Sequence, residues 1–197
     1  MTVVGLIRHG LTDWNTEKRV QGQTDIPLNA FGRKQAELLS HRMKDEDWDY
    51  IYASDLGRAH ETASYIANVK QMEVTTDQRL REMFCGQIEG TTLEERVAKW
   101  GEDWSQLDLG VETHQQIAAR GVSFIQDVIE RHPNQKVLIV SHGALLSLTL
   151  MDLIPHENIE AHIHNTSVTT LQHINSRWEC LKYNCISHLD GLAPETV

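Results

Sequence analysis

Apolar runs of strand length alternate with stretches of helical spacing along most of this chain. Val3 to Ile7 is a continuous apolar run, the pattern of a strand buried on both faces. Lys136 to Val140 repeats that pattern most clearly, and Tyr50 to Ala53 is a third, shorter case. Asn29 caps a helix predicted from Ala30 to Met43, with Ala36, Leu39 and Met43 on one face. A second helix follows Ser54-Asp55 to about Val69 and buries Ala59, Ala63 and Ile66. Thr113 and Gln116 form a capping box for another, which places Ile117, Gly121, Phe124, Ile125 and Val128 at helical spacing and is stopped by Pro133. Gly143 leads into an apolar helix through Leu150, and Leu93 to Trp100 is a shorter one. Val168 to Leu171 and Trp178 to Tyr183 are expected to close the fold as a hairpin, with a frayed tail from Ala193. Two stretches escape the pattern: Leu11 to Leu28, which reads as a long functional loop, and Glu73 to Gly110. With no repeat, low-complexity block or linker, the alternation predicts one domain over residues 1–197. Its fold class is α/β, a three-layer α/β/α sandwich around a mostly parallel central sheet.

Composition narrows the partners. A net charge of −10 over 197 residues argues against a long nucleic acid but allows a small anion held by a few converging arginines. No apolar stretch reaches membrane-span length, and no basic segment leads into an apolar run at the N-terminus, so a cytoplasmic protein without membrane contact is expected. Cys85, Cys180 and Cys185 are odd in number and lack metal-ligand spacing, which fits reduced thiols.

The chemistry stands at the strand ends. In open α/β sheets, ligands bind beyond the carboxyl ends of the strands. There this chain has Arg8-His9-Gly10, Ser54-Asp55-Leu56-Gly57-Arg58 and Ser141-His142-Gly143. A neutral imidazole is a competent nucleophile toward phosphorus when its other nitrogen is held by a hydrogen bond. Arginine forks match phosphate oxygens, and a second histidine can stabilise charge on the transferring group. The set suits phosphoryl transfer through a phosphohistidine. Glu82 is the candidate acid for the leaving oxygen, with Asp55 and Glu89 as neighbouring carboxylates. Each residue also has a plainer reading: His9 as a strand-end histidine, Arg8 and Arg58 as surface ion-pair partners, His142 as a helix cap. His156, His162 and His164 could share an ion, although no carboxylate or thiol completes the set and an edge-strand surface is the simpler reading. Trp100 and Trp104 either line a substrate mouth or pack beneath a loop.

From Val3 to about Leu171 the chain resembles the histidine phosphatase superfamily, in its phosphoglycerate-mutase-like branch. The likeness rests on Arg8-His9-Gly10, Trp14-Asn15, Gln21-Gly22, Pro27-Leu28, Ser54-Asp55-Leu56 with Arg58-Ala59, Glu82 with Gly86 and Glu89-Gly90, and Ser141-His142-Gly143. It implies that His9 is phosphorylated, that Arg8, Arg58 and His142 bind the phosphoryl group with help from Asn15, and that Glu82 donates the proton. Gln21 and Gly22 would lie along the phosphate or substrate entrance, and no metal or organic cofactor is expected. The chain departs from many relatives at Cys85, at Ile88 and at Val111, which precedes Glu112 where they have glycine; these positions bear on substrate preference.

The expected activity is that of a phosphomonoester phosphatase on small phosphorylated metabolites. A phosphoglycerate-type mutase and a non-catalytic phospho-ligand binder are the alternatives. Cofactor-dependent mutases of this superfamily carry an inserted, arginine-bearing segment between the positions matching Glu82 and His142. Here that interval is short, and its basic residues are Arg96, Lys99, Arg120, Arg131 and Lys136. The Val168 to Tyr183 hairpin offers an edge at which a homodimer could form.

Overall fold

The computed structural model describes residues 1–157, 159 and 162–192. Six strands form one sheet: β1 (Thr2–Arg8), β2 (Tyr50–Ala53), β3 (Val74–Thr76), β4 (Lys136–Ser141), β5 (Val168–Ile174) and β6 (Arg177–Cys185). Their spatial order is β3-β2-β4-β1-β5-β6. The first four are mutually parallel where they pair, while β5 and β6 run antiparallel at one side. The helices are α1 (Asp13–Thr16), α2 (Ala30–Lys44), α3 (Gly57–Lys70), α4 (Leu93–Trp100), α5 (His114–Arg131) and α6 (Gly143–Leu153).

The two-sided burial read from the apolar runs has a direct counterpart. On β4, Val137 and Ile139 pack with Ile117, Phe124 and Val128 of α5 and Leu145, Leu146 and Leu150 of α6. Leu138 and Val140 face the other way, onto Leu39 and Met43 of α2 and Ala59, Ala63 and Ile66 of α3. Alternate side chains of one strand thus feed two cores, so the strand shows no polar face. The expected helix starts hold. Asn29 accepts from the Gly32 amide, and the Thr113–Gln116 capping box is formed in both directions.

The irregular stretch hides structure that its pattern did not announce. Val74–Thr76 is a three-residue edge strand, too short and too polar to stand out. Beyond it, Cys85, Ile88 and Leu109 form a small separate core, against which Trp100 and Trp104 pack. The two tryptophans therefore lie beneath the loop rather than at an open mouth. The β5–β6 hairpin is longer than expected at both strands, and the tail expected from Ala193 lies outside the described residues. Among the described residues, no helix is long and apolar enough to cross a membrane.

Register fixes where the parallel strands end. Arg8 pairs with Ser141 and Ala53 with Val140, so the residues that follow β1, β2 and β4 emerge side by side. The turn after β1 is wedged against α2: a Cβ on Gly10 would come 2.6 Å from the Gly32 carbonyl oxygen, and one on Gly32 would come 2.0 Å from that of Leu11. Both contacts are backbone against backbone, which no rotamer change relieves. Gly32→Ala is therefore expected to lower stability by about 1–3 kcal/mol, as for overpacked core sites. A urea midpoint unchanged by that substitution would show that the β1 turn is free to move.

Candidate active site

Arg8, His9, Arg58 and His142 converge because three parallel strands end together. His9 is buried, and its Nδ1 lies 2.7 Å from the carbonyl oxygen of Gly10. A carbonyl can only accept, so Nδ1 donates and the Nε2 lone pair is left available. The turn around it is tied from both sides. Gly10 N–H donates to Thr62 Oγ1 at 3.1 Å, and that hydroxyl donates to the Arg58 carbonyl at 2.8 Å. Asn165 Nδ2 donates to the His9 carbonyl at 2.9 Å, and Thr166 N–H donates to that of Arg8 at 2.9 Å.

Arg58 is completely buried in the first turn of α3, and among the described residues no carboxylate is bound to it. Its Nη1 and Nη2 donate instead to the carbonyls of Thr24 and Gly22, at 2.9 and 2.8 Å. Gly22 reaches this position with φ +52°, a backbone conformation that favours glycine. Arg8 Nη1 donates to the Ile163 carbonyl at 2.6 Å. Arg8 Nε, Arg58 Nε and both ring nitrogens of His142 are buried with no hydrogen-bond partner among the described residues. Leaving buried donors unmatched costs about 1–3 kcal/mol each, more for charged groups.

Burial first, and then the fields of Arg58 and Arg8, push His9 well below the ordinary histidine range. His142 is pushed down the same way, by burial and then by Arg58, His9 and Arg8. The two rings lie 5.2 Å apart, centre to centre. Both are neutral at neutral pH, which is the form a nucleophilic imidazole needs.

Glu82 sits in a loop, its carboxyl group against the first turn of α6. Its Oε1 accepts from the amides of Met83 at 2.8 Å and Leu145 at 3.2 Å, and its Oε2 accepts from Ala144 at 3.2 Å. The two rival carboxylates are committed elsewhere. Asp55 forms a bidentate pair with Arg81 at 2.7 and 2.6 Å, which holds its carboxyl below the usual range despite partial burial. Glu89 accepts from the amide and hydroxyl of Thr24.

A cavity of about 170 Å³ is lined by Arg8, His9, Asn15, Gln21, Gly22, Arg58 and Glu82, among others. Asn15 closes a capping box with Thr12, and its Oδ1 accepts from Thr12, which leaves its Nδ2 end as the donor. A second cavity of about 590 Å³ shares Arg8, Glu82 and Ala144 with the first and continues along α6 past Ser147, Leu148 and Met151, with His114, His162 and Ile163. His142 stands behind the smaller cavity against His9 rather than in its lining. The imagined ion site has a different geometry. His162 and His164 meet edge to face at 4.9 Å, while His156 lines another cavity beside Trp178. Among the described residues, no three or more His, Cys, Asp or Glu side chains are grouped to share a metal ion.

Asn165 and Thr166 were missed by pattern reasoning. Thr166 and Ser167 are fully buried polar residues just before β5, and Thr166 has φ +56°. Polar residues leading straight into an apolar strand were the available signal.

A model of the histidine phosphatase superfamily (branch 1) matches residues 4–186. The chain is 35% identical over 193 residues to the "Uncharacterized phosphatase PhoE" of Bacillus subtilis, covering 97% of this chain and 98% of that one. It is also 34% identical over 190 residues to a "Probable phosphoglycerate mutase GpmB" of Yersinia enterocolitica, covering 90% and 88%. A solved phosphoserine phosphatase of Entamoeba histolytica, in complex with phosphoserine, superposes with a TM-score of 0.81 at 29% identity, covering 96% of this chain and all of that one. Because the family match runs from β1 past the end of β6, and so takes in the elements that carry the pocket, the chain belongs to the histidine phosphatase superfamily.

Proposed function

We propose that residues 1–197 act as one domain, a phosphomonoester phosphatase that works through a phosphohistidine at His9. The observation that carries this reading is the set of buried, unmatched donors on Arg8, Arg58 and His142 around a nucleophile whose tautomer is fixed. A phosphoryl dianion would satisfy those donors, and its oxygens match the guanidinium forks.

In the first step His9 Nε2 attacks phosphorus, the bond to the alcohol oxygen breaks, and Glu82 gives that oxygen its proton. Arg8, Arg58, His142 and Asn15 hold the non-bridging oxygens as charge redistributes. In the second step Glu82, now a carboxylate, takes a proton from water as the water attacks the phosphohistidine. Free imidazole and inorganic phosphate result. Gln21 and Gly22 line the approach to this cup.

The larger cavity supports hydrolysis over mutase chemistry. Glu82 lies on the wall shared by the two cavities, so a leaving group meeting its proton extends along α6. There the described lining includes Ala144, Ser147, Leu148, Met151 and Ile163 with two histidines, and Arg8 is its one permanent cation. A mutase must grip a second anionic group of its substrate, and this lobe offers little to do so. The substrate class is small phosphorylated metabolites, the class to which phosphoserine belongs. The three cysteines are unpaired, in keeping with a reducing compartment such as the cytoplasm.

Incubation with p-nitrophenyl phosphate should release product and leave, on rapid acid-free quenching, a base-stable and acid-labile protein phosphate that disappears in His9→Ala. Turnover without any such phosphoprotein would rule out the covalent route, and binding without turnover would favour a regulatory role. Glu82→Gln should lose roughly 10²- to 10⁴-fold on alkyl phosphates, the usual range for general acid catalysis, and far less on aryl ones. Equal loss on both would count against the acid role.

The histidines also set a pH signature. The unfolded chain takes up their protons near pH 6.5, while the folded site resists them. Their contribution to stability is therefore complete above that pH and is lost as pH falls toward the lower folded-state values. The slope is up to about 1.4 kcal/mol per pH unit for each ring. Ring-proton NMR should find His9 and His142 still neutral at pH 6, and an ordinary midpoint for either would contradict the buried-charge picture.

A further inference from the structure

Glu82 must meet a leaving oxygen to within a fraction of an ångström, yet it stands on neither helix nor strand. It lies between the short 3-10 turns Gln78–Leu80 and Gly86–Ile88. Its backbone is held by side chains instead: Gln23 Nε2 donates to the Glu82 carbonyl at 3.1 Å, and one arginine of α5 spans the segment. Arg120 donates from Nη1 to the carbonyls of Arg79, at 2.8 Å, and Arg81, and from Nη2 to the carbonyl of Glu82 itself at 2.9 Å. The same guanidinium is clasped by Glu112, Nε to Oε1 at 2.8 Å and Nη2 to Oε2 at 2.9 Å. Glu112 in turn grips the other side of the segment. Its Oε2 accepts from the Phe84 amide at 3.0 Å, and its own amide donates to the Phe84 carbonyl at 2.8 Å.

The pair therefore holds Glu82 from both flanks. Arg120 and Glu112 side chains are only 19% and 15% exposed, and neither lines the phosphoryl cavity or the lobe beside it. They do not touch the reacting atoms. A planar five-donor fork can serve three carbonyls and a carboxylate at once, whereas a lysine cannot.

We propose that Arg120 and Glu112 are positioning residues for proton donation, fixing the Glu82 backbone so that its carboxyl group reaches the leaving oxygen. The inference rests on the proposed acid role of Glu82. It separates two kinds of substrate. Alcohols that leave poorly need the proton and hence the clamp, whereas p-nitrophenolate leaves without much help.

The test compares kcat/KM on β-glycerol phosphate and p-nitrophenyl phosphate for the unmodified enzyme, Glu82→Gln, Glu112→Gln, Arg120→Lys and the double variant Glu82→Gln/Glu112→Gln, with urea midpoints for each. Glu112→Gln and Arg120→Lys should each lose roughly tenfold or more on the alkyl ester, within the range of general acid catalysis, and less than about threefold on the aryl ester. The loss should fall on kcat more than on KM, and the double variant should be no worse than Glu82→Gln alone on the alkyl ester, as for residues acting through one group. Arg120→Lys, which keeps charge and stem, serves as the second variant should Glu112→Gln fold poorly. Equal losses on both esters, or an additive double variant, would overturn the positioning role and leave the pair purely structural. Absence of leaving-group selectivity in Glu82→Gln itself would instead overturn the acid role; selectivity there but not in Glu112→Gln or Arg120→Lys would overturn the positioning role alone.

Discussion

Two guanidinium groups and two imidazoles are crowded together at the carboxyl ends of the central strands, and much of the surrounding structure answers to that crowding. An isolated buried charge costs several kcal/mol, and removal of its partners leaves that cost exposed. Here the compensation is shared. Backbone carbonyls of Gly22 and Thr24 turn inward to meet Arg58, the Ile163 carbonyl meets Arg8, and Glu82 lies close enough that its carboxylate form favours both cations. The loop before α2 must therefore fold back over the strand ends, and Gly22 must take a left-handed conformation to point its carbonyl that way. Burial still pulls both arginines below their ordinary range, but they remain charged.

The same field governs the histidines. Burial first, and then the neighbouring cations, make an imidazolium unfavourable, so His9 and His142 are held neutral and His9 keeps its lone pair. Under the proposed function, a phosphoryl dianion seated between the arginines would reverse the sign of that field. His142 would then gain reason to hold a proton against the transferring oxygens when negative charge must be stabilised there. One arrangement would thereby keep the nucleophile ready before binding and strengthen the clamp after it. This dual effect requires low dielectric and would be much weaker at an exposed site.

Legibility in the sequence followed the same physics. Strands that are buried on both faces advertise themselves as unbroken apolar runs, so β1 and β4 were readable, and with them the place where Arg8, His9 and His142 emerge. Arg58 was readable because it opens a helix after a short strand. Glu82 was harder: nothing periodic surrounds it, and only the structure separates it from Asp55 and Glu89, through their commitment to Arg81 and Thr24. Asn165, Thr166, Glu112 and Arg120 were invisible as site residues because their work is done on backbone carbonyls and amides. A side chain that binds main chain leaves no partner in the sequence to pair it with.

This difference also divides the pocket into two parts under different constraints. The phosphoryl cup is built from strand ends, a left-handed glycine and buried charge, where nearly any substitution disturbs several groups at once. The adjoining lobe is built from one face of α6, at Ala144, Leu148 and Met151, whose spacing follows the helix. Leu148 and Met151 line the lobe and not the smaller cavity, so under the proposed function the lobe could change shape or polarity there while His9, Arg8 and Arg58 stay as they are. Under the proposed function such a partition would let one reaction serve divergent substrates, because the energy that holds the cup together would not pass through Leu148 and Met151, the part of the wall that would meet the alcohol.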